Sequence, residues 1–438
     1  MLATKWSRVV AVAAAAGAAG IGGVSYRVRK VSAVTSWKDD AQTQAFKPAY
    51  NKAPNNYQEE LFKLSYEYPS TLPGEDRKKL PWMKIDFKTE PEKYLWTVLN
   101  YCFEGNTECD FRVDKNKVRP WYNAPWMAYR QSGREPIHGL TMERPANVGY
   151  IADTQKRWEQ TWAVGFYNFY GAYTIGKFWE KPWEPTLTGN VKFPEGTVAF
   201  KLLFTEATEA DVPSLAGSPV WKAAIAIPDP PISPDASDAE AFGRLLETMK
   251  PKDRGPNLYP LRLIQVDIMV RDSRAEKETG WVFGTFMYHK DYGQKTKDDW
   301  RRLVPLCLQW GNDPDLTPER YYEHGKRPTE TWTNPLVKEK GLLAPGRPYL
   351  GYLERANGIV DNFISCCASC HSTASIPTFP KTVTPSKPDL VPNTMYWFKN
   401  IHAGEPFEEG GKSLDYSLQL DSGLTGYFEW VKSKPKPK

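Results

Sequence analysis

Five consecutive residues, Cys367-Ala368-Ser369-Cys370-His371, are the strongest chemical signal in this chain of 438 residues. Two thiols spaced by two residues can each meet one vinyl group along an edge of a haem. The histidine that follows can then turn its imidazole onto the iron. The spacing predicts one covalent haem c, attached through Cys367 and Cys370 and ligated on one side by His371. Other uses of the string fit less well. A zinc site wants four soft or imidazole ligands, and the nearest additions are Cys366 and His402. A thioredoxin-like pair belongs between a strand and a helix of a compact α/β unit, which the flanks do not suggest.

The sixth position on such an iron separates electron carriers from enzymes and ligand sensors. Met395 is the first candidate, because Tyr396, Trp397 and Phe398 give it the apolar company a haem pocket needs. The same company would suit a core methionine. His402 is the second candidate. His138, His289 and His324 read as surface or hydrogen-bonded histidines. His138 beside Arg134 and Arg144 is the one cluster offering both acid–base and charge-stabilising groups for peroxide-type chemistry.

Four further cysteines need roles. Cys102 and Cys109 bracket a polar loop and suggest a small disulfide. Cys366 directly precedes the haem pair, and bonding to Cys307 would staple two parts of the chain together; a buried free thiol is the alternative.

These groups need elements to hold them. Hydrophobic residues make up 41% of the chain, with 17 Trp, 23 Tyr and 19 Phe, so there is ample surface to bury. The 37 Pro and 31 Gly argue against a helical bundle and for strands joined by irregular connections. Leu261–Arg271 alternates Ile264, Val266, Ile268 and Val270 against Gln265, Asp267 and Met269, which predicts a strand. Trp281–Tyr288 follows across a hairpin-like connection, and Thr197–Phe204 is a third strand. Ser237 and Glu240 form a capping-box pattern for a helix over 238–250. Trp158, Trp162 and Phe166 recur every four residues and suggest a helix from Thr154 to about Ala172. A short helix is expected over Asn56–Tyr66. The fold class is therefore mixed and β-rich: a sandwich-like body with peripheral helices over 85–345, after an extended polar lead over 34–84. A small, irregular and helical haem domain with a basic tail follows over 346–438.

The net charge of +5 comes entirely from the first 33 residues, where Lys5, Arg8, Arg27, Arg29 and Lys30 meet no acid. Nothing suggests a nucleic-acid surface. Val9–Val24 is apolar behind a positive start. It reads either as a secretory signal ending near Ala33 or as an uncleaved anchor, short for the roughly 20 residues of a span. Both readings place the body outside the cytoplasmic membrane, in the periplasm, with membrane contact through this segment in the second.

The motif and its surroundings resemble a family of exported bacterial proteins described only as cytochrome c family. The resemblance rests on Arg355-Ala356-Asn357-Gly358-Ile359-Val360-Asp361-Asn362 before the cysteines, and on Trp281-Val282-Phe283-Gly284-Thr285-Phe286. Trp310-Gly311-Asn312-Asp313 and Leu414-Asp415-Tyr416-Ser417-Leu418-Gln419 complete it. It implies export and a single haem and transfers no substrate. The long β-rich body departs from small soluble cytochromes, which puts a simple shuttle in doubt. Three functions are carried forward: electron transfer with a redox protein or membrane complex as partner, a haem enzyme or small-ligand sensor with an open distal site, and a partner-binding protein with an ancillary haem.

Overall fold

The computed structural model describes residues 37–49, 52–72, 77–129, 133–185, 189–250, 255–377 and 394–434. The signal or anchor expected over 1–33 lies outside these residues, as do most of the proline-rich stretch after the cysteine motif and the end of the basic tail. Among the described residues no helix is long and apolar enough to cross a membrane.

Eight strands form one antiparallel sheet. They are β1 (Thr141–Met142), β2 (Thr161–Tyr167), β3 (Val198–Thr205), β4 (Val220–Ala223), β5 (Tyr259–Arg271), β6 (Trp281–Tyr288), β7 (Leu303–Gln309) and β8 (Thr331–Thr333). Their spatial order is β1-β2-β3-β5-β6-β7-β8, and β4 pairs with the first residues of β5. β9 (Ser375–Ile376) and β10 (Lys412–Ser413) make a separate small ribbon. The helices that matter to the site are α1 (37–45), α2 (Pro91–Phe103), α3 (Phe169–Phe178), α4 (Asp238–Thr248), α5 (Cys367–Ser372) and α6 (Leu418–Ser433).

The β-rich body with peripheral helices is present. In place of a sandwich of two facing sheets, though, the described strands make one sheet covered by helix and irregular chain. Successive strands β5, β6 and β7 pair with their chain neighbours, so the sheet grows sideways as a meander.

Three sequence expectations are corrected. Residues 154–172 are not one helix: Trp162 and Phe166 lie on β2, and α3 starts only after Asn168, whose side chain accepts the Gly171 N–H. A spacing of four is even, so it marks one face of a strand as well as one face of a helix. Residues 56–66 form no helix, and Ser65 is instead tied to Asn123 and Trp121. The polar lead is not wholly extended, because α1 opens it and Trp37 packs on Trp430 of α6. The capping box at Ser237 and Glu240 forms as expected and starts α4.

The two faces of the sheet have different partners. Val266, Ile268, Phe200 and Phe286 point to one side, into a core shared with Leu95, Val98, Leu99 and Phe103 of α2. Gly284 lies where that helix crosses, since a Cβ there would be 2.2 Å from Leu95 Cδ2. On the opposite face, cross-strand pairing lines up Gly165, Lys201, Asp267, Thr285 and Cys307 in one row. Tyr167, Ala199, Met269, Phe283 and Gln309 form the row beside it. This second face receives α5 and α6.

Candidate functional site

The cysteine motif forms α5, and Cys366 is its N-cap. The Cys366 thiol accepts the Ser369 N–H at 3.4 Å and the Gln309 side-chain N–H at 3.3 Å, and donates to Asn312 Oδ1 at 3.2 Å. Ser369 Oγ accepts the Cys366 N–H in return, completing a capping box built on sulfur. Gln309 Oε1 accepts the Ala368 N–H at 3.0 Å, which clamps the first turn of α5 onto β7. Arg355, fully buried, donates to the carbonyls of Asn312, Asp313, Leu316 and Tyr352 and fixes the segment leading into the motif.

All six cysteines are free thiols, so neither expected disulfide is formed. Cys366 is occupied as a cap, while the Cys307 thiol donates to the Asn357 carbonyl. Cys102 lies on the buried face of α2, and the Cys109 thiol closes its own loop by donating to the carbonyls of Gly105 and Arg112.

His371 Nδ1 is 2.9 Å from the Tyr416 carbonyl oxygen, and its ring centroid is 5.2 Å from that of Phe283. A carbonyl can only accept, so Nδ1 carries the proton and Nε2 keeps the lone pair. Burial pushes the imidazole pKa down to about 4, so the ring is neutral at neutral pH. Burial also raises the Cys370 thiol to about 12 and the Cys367 thiol well above its usual range. Two neutral thiols outside any disulfide on one helix and an oriented imidazole fit the donor set of a covalent haem.

Beside them lies a charged cluster on the floor of the site. Asp267 accepts from Lys201 Nζ at 3.3 Å, from Thr285 Oγ1 at 2.8 Å and from Gln265 Nε2 at 2.9 Å. The same Gln265 nitrogen donates to Asp361 at 2.9 Å. Burial raises the Asp267 carboxyl despite Lys201, and Asp267, Glu143 and Asp361 raise the Lys201 ammonium against the opposing effect of burial. Lys201 and Asp361 act electrostatically on both His371 and Cys370. Lys201, Asp267, Asp361, Cys367, Cys370 and His371 are all half-buried. Gln419 of α6 closes over Gly165 beside Lys201, because a Cβ on Gly165 would be 2.2 Å from Gln419 Nε2.

The other expected residues are placed apart. Met395 packs in an apolar cluster with Leu316, Tyr352, Leu353, Cys366 and Phe398, on the cap side of α5. His402 is exposed, with Nδ1 3.0 Å from the Glu276 carbonyl oxygen. The His138 cluster does not assemble: His138 stacks on Trp221 at 4.4 Å, Arg134 donates to the Ala124 carbonyl, and Arg144 pairs with Asp238. Sequence reading missed Lys201, Gln309 and Asp361 as site residues. The lone cation in the apolar strand over 198–205 was the available signal for Lys201.

No protein-family model, no curated protein and no solved structure matches this chain.

Proposed function

We propose that this chain is an exported mono-haem c-type cytochrome that transfers electrons outside the cytoplasmic membrane. Its partner in that reading is a redox protein or membrane complex. The observation that carries it is the pairing of two free thiols on α5 with His371, whose Nδ1 is committed to the Tyr416 carbonyl. Cys367 and Cys370 would hold the group and His371 would ligate its iron, which supplies one-electron exchange when bound. Phe283, Tyr416, Met269 and Trp281 exclude water on the sheet side, the low-dielectric surrounding that sets a potential. The sequence offers Met395 and His402 as sixth ligands, while the fold packs Met395 on the cap side of α5 and leaves His402 exposed at the Glu276 carbonyl.

The Lys201–Asp267–Asp361 cluster favours a second reading. Charged groups sunk beside a cofactor site are costly for stability and serve proton handling in enzymes. In that reading the distal side is open and these side chains hold protons for a bound small molecule.

The full chain, expressed where haem can be attached, is denatured and acid-extracted. Haem mass retained on the protein, and lost in Cys367→Ala/Cys370→Ala, supports attachment; complete extraction of haem from the unsubstituted protein refutes it. Low-spin spectra in both redox states support electron transfer, whereas a high-spin spectrum with rapid carbon monoxide binding selects the second reading.

A further inference from the structure

Two adjacent residues, Asp415 and Tyr416, hold left-handed backbone angles, with φ of 49° and 65°, in the fully enclosed turn between β10 and α6. Such non-glycine conformations are unfavourable and persist only where their surroundings enforce them. The enforcement here converges on one carboxylate. Asp415 Oδ2 accepts the Phe193 N–H at 2.5 Å, and Oδ1 accepts the Trp281 indole N–H at 3.0 Å and the Gly404 N–H at 2.9 Å. These donors come from three separate segments: the approach to β3, the start of β6 and the loop before β10. Ser413 Oγ accepts the Asp415 N–H, and the Tyr416 hydroxyl donates to the Ile401 carbonyl.

The product of this arrangement is one carbonyl. The strained turn aims the Tyr416 oxygen at His371 Nδ1, and Tyr416 packs its ring on Phe283, which also flanks the imidazole. Asp415 itself has 0% exposure, so its charge is enclosed at a cost in hydration that an apolar or glycine turn would not carry. A buried carboxylate with three donors is well satisfied, and what it secures is a backbone path that would otherwise relax.

We propose that Asp415 is the positioning residue for His371: it locks the left-handed turn whose carbonyl fixes the ring and its Nδ1 proton. Nε2 then points in one direction with raised basicity, as an iron ligand requires. The role at the iron rests on the haem reading; the hold on the imidazole does not.

The test uses the full chain, with and without attached haem. Exchange of the His371 Nδ1 proton is followed by nuclear magnetic resonance, together with the reduction potential and the thermal midpoint. In Asp415→Asn the side chain keeps its shape but loses the charge and an acceptor. Expected results are exchange at least tenfold faster and, in the haem-loaded protein, a higher potential, both larger in Asp415→Ala. A lowered thermal midpoint with unchanged exchange and potential would make Asp415 purely structural and overturn the proposal. If these variants do not fold, Trp281→Phe removes one of the three donors and should raise exchange in the same direction; no change there is equally fatal. Absence of covalent haem in the unsubstituted chain defeats the haem reading alone, and exchange in the haem-free chain still decides whether Asp415 holds the ring.

Discussion

Replacing Lys201 by Met removes the cation paired with Asp267 and leaves two carboxylates facing each other through Gln265. At 3.3 Å the lost attraction is about 5 kcal/mol at an effective dielectric constant of roughly 20. Part of this is recovered. The two side chains are 31% and 23% exposed, so water screens them, and Thr285 and Gln265 still donate to Asp267. A net loss of about 2–3 kcal/mol at pH 7 follows, below the roughly 3–5 kcal/mol of a fully buried broken pair. The double variant Lys201→Met/Asp267→Asn removes both charges and should recover all but about 1 kcal/mol. The pH dependence has a definite sign. Without Lys201 the Asp267 carboxyl, already raised by burial, rises further, so the folded protein holds a proton that the unfolded chain releases above the ordinary aspartate range. Stability of the single variant therefore falls relative to the unsubstituted protein as pH rises from about 4, and the two converge in acid. Urea unfolding at pH 5 and pH 7 measures this. A single variant within about 0.5 kcal/mol of the parent at pH 7, several-fold below the expected loss of about 2–3 kcal/mol, would refute the electrostatic account. A double variant less stable than the single one would refute it too.

Glu159 and Glu206 test linkage elsewhere. Burial and the neighbouring glutamate raise Glu206 well above 4.5, and burial raises Glu159 to about 7, so the folded pair retains a proton the unfolded chain loses. Stability from this pair is full below pH 4.5 and declines as pH rises towards 7; Glu206→Gln should flatten that decline in thermal melts across the window. Gly284→Ala forces α2 away from the sheet and should cost about 1–3 kcal/mol in urea unfolding, against near-neutrality if the helix shifts freely. If the haem proposed above is attached, visible and near-infrared spectra of Met395→Ala and His402→Ala test the two candidates for its sixth ligand. Loss of a methionine-to-iron band only in the first supports Met395, loss of bis-histidine character only in the second supports His402, and no change in either excludes both.

Some local structure was legible in the sequence from near neighbours alone, although the helix expected over 56–66 and the Cys102–Cys109 disulfide were not formed. The cysteine and histidine spacing needs only a turn of helix. The alternation of β5 needs only the two-residue repeat of a strand, and the cap of α4 needs only four residues. Where a local pattern served two structures, it misled: the four-residue spacing of Trp158, Trp162 and Phe166 suits a helix or a strand, and pairing of Trp162 and Phe166 with β3 selects the strand. The sequence leaves Cys366 either bonded to Cys307 or a buried free thiol, because its actual partners, Gln309 and Asn312, are distant in sequence. The polar face of β5 carried no indication of its destination. Asp267 is chemically the same whether it faces solvent or the cysteine motif, and sheet register alone places it beside Lys201 and beneath α5. The turn at Asp415 and Tyr416 is the extreme case. Its backbone angles are unfavourable to both residues, so no local propensity could announce them; they exist because Phe193, Trp281 and Gly404 converge on one carboxylate, a convergence that only the folded chain creates.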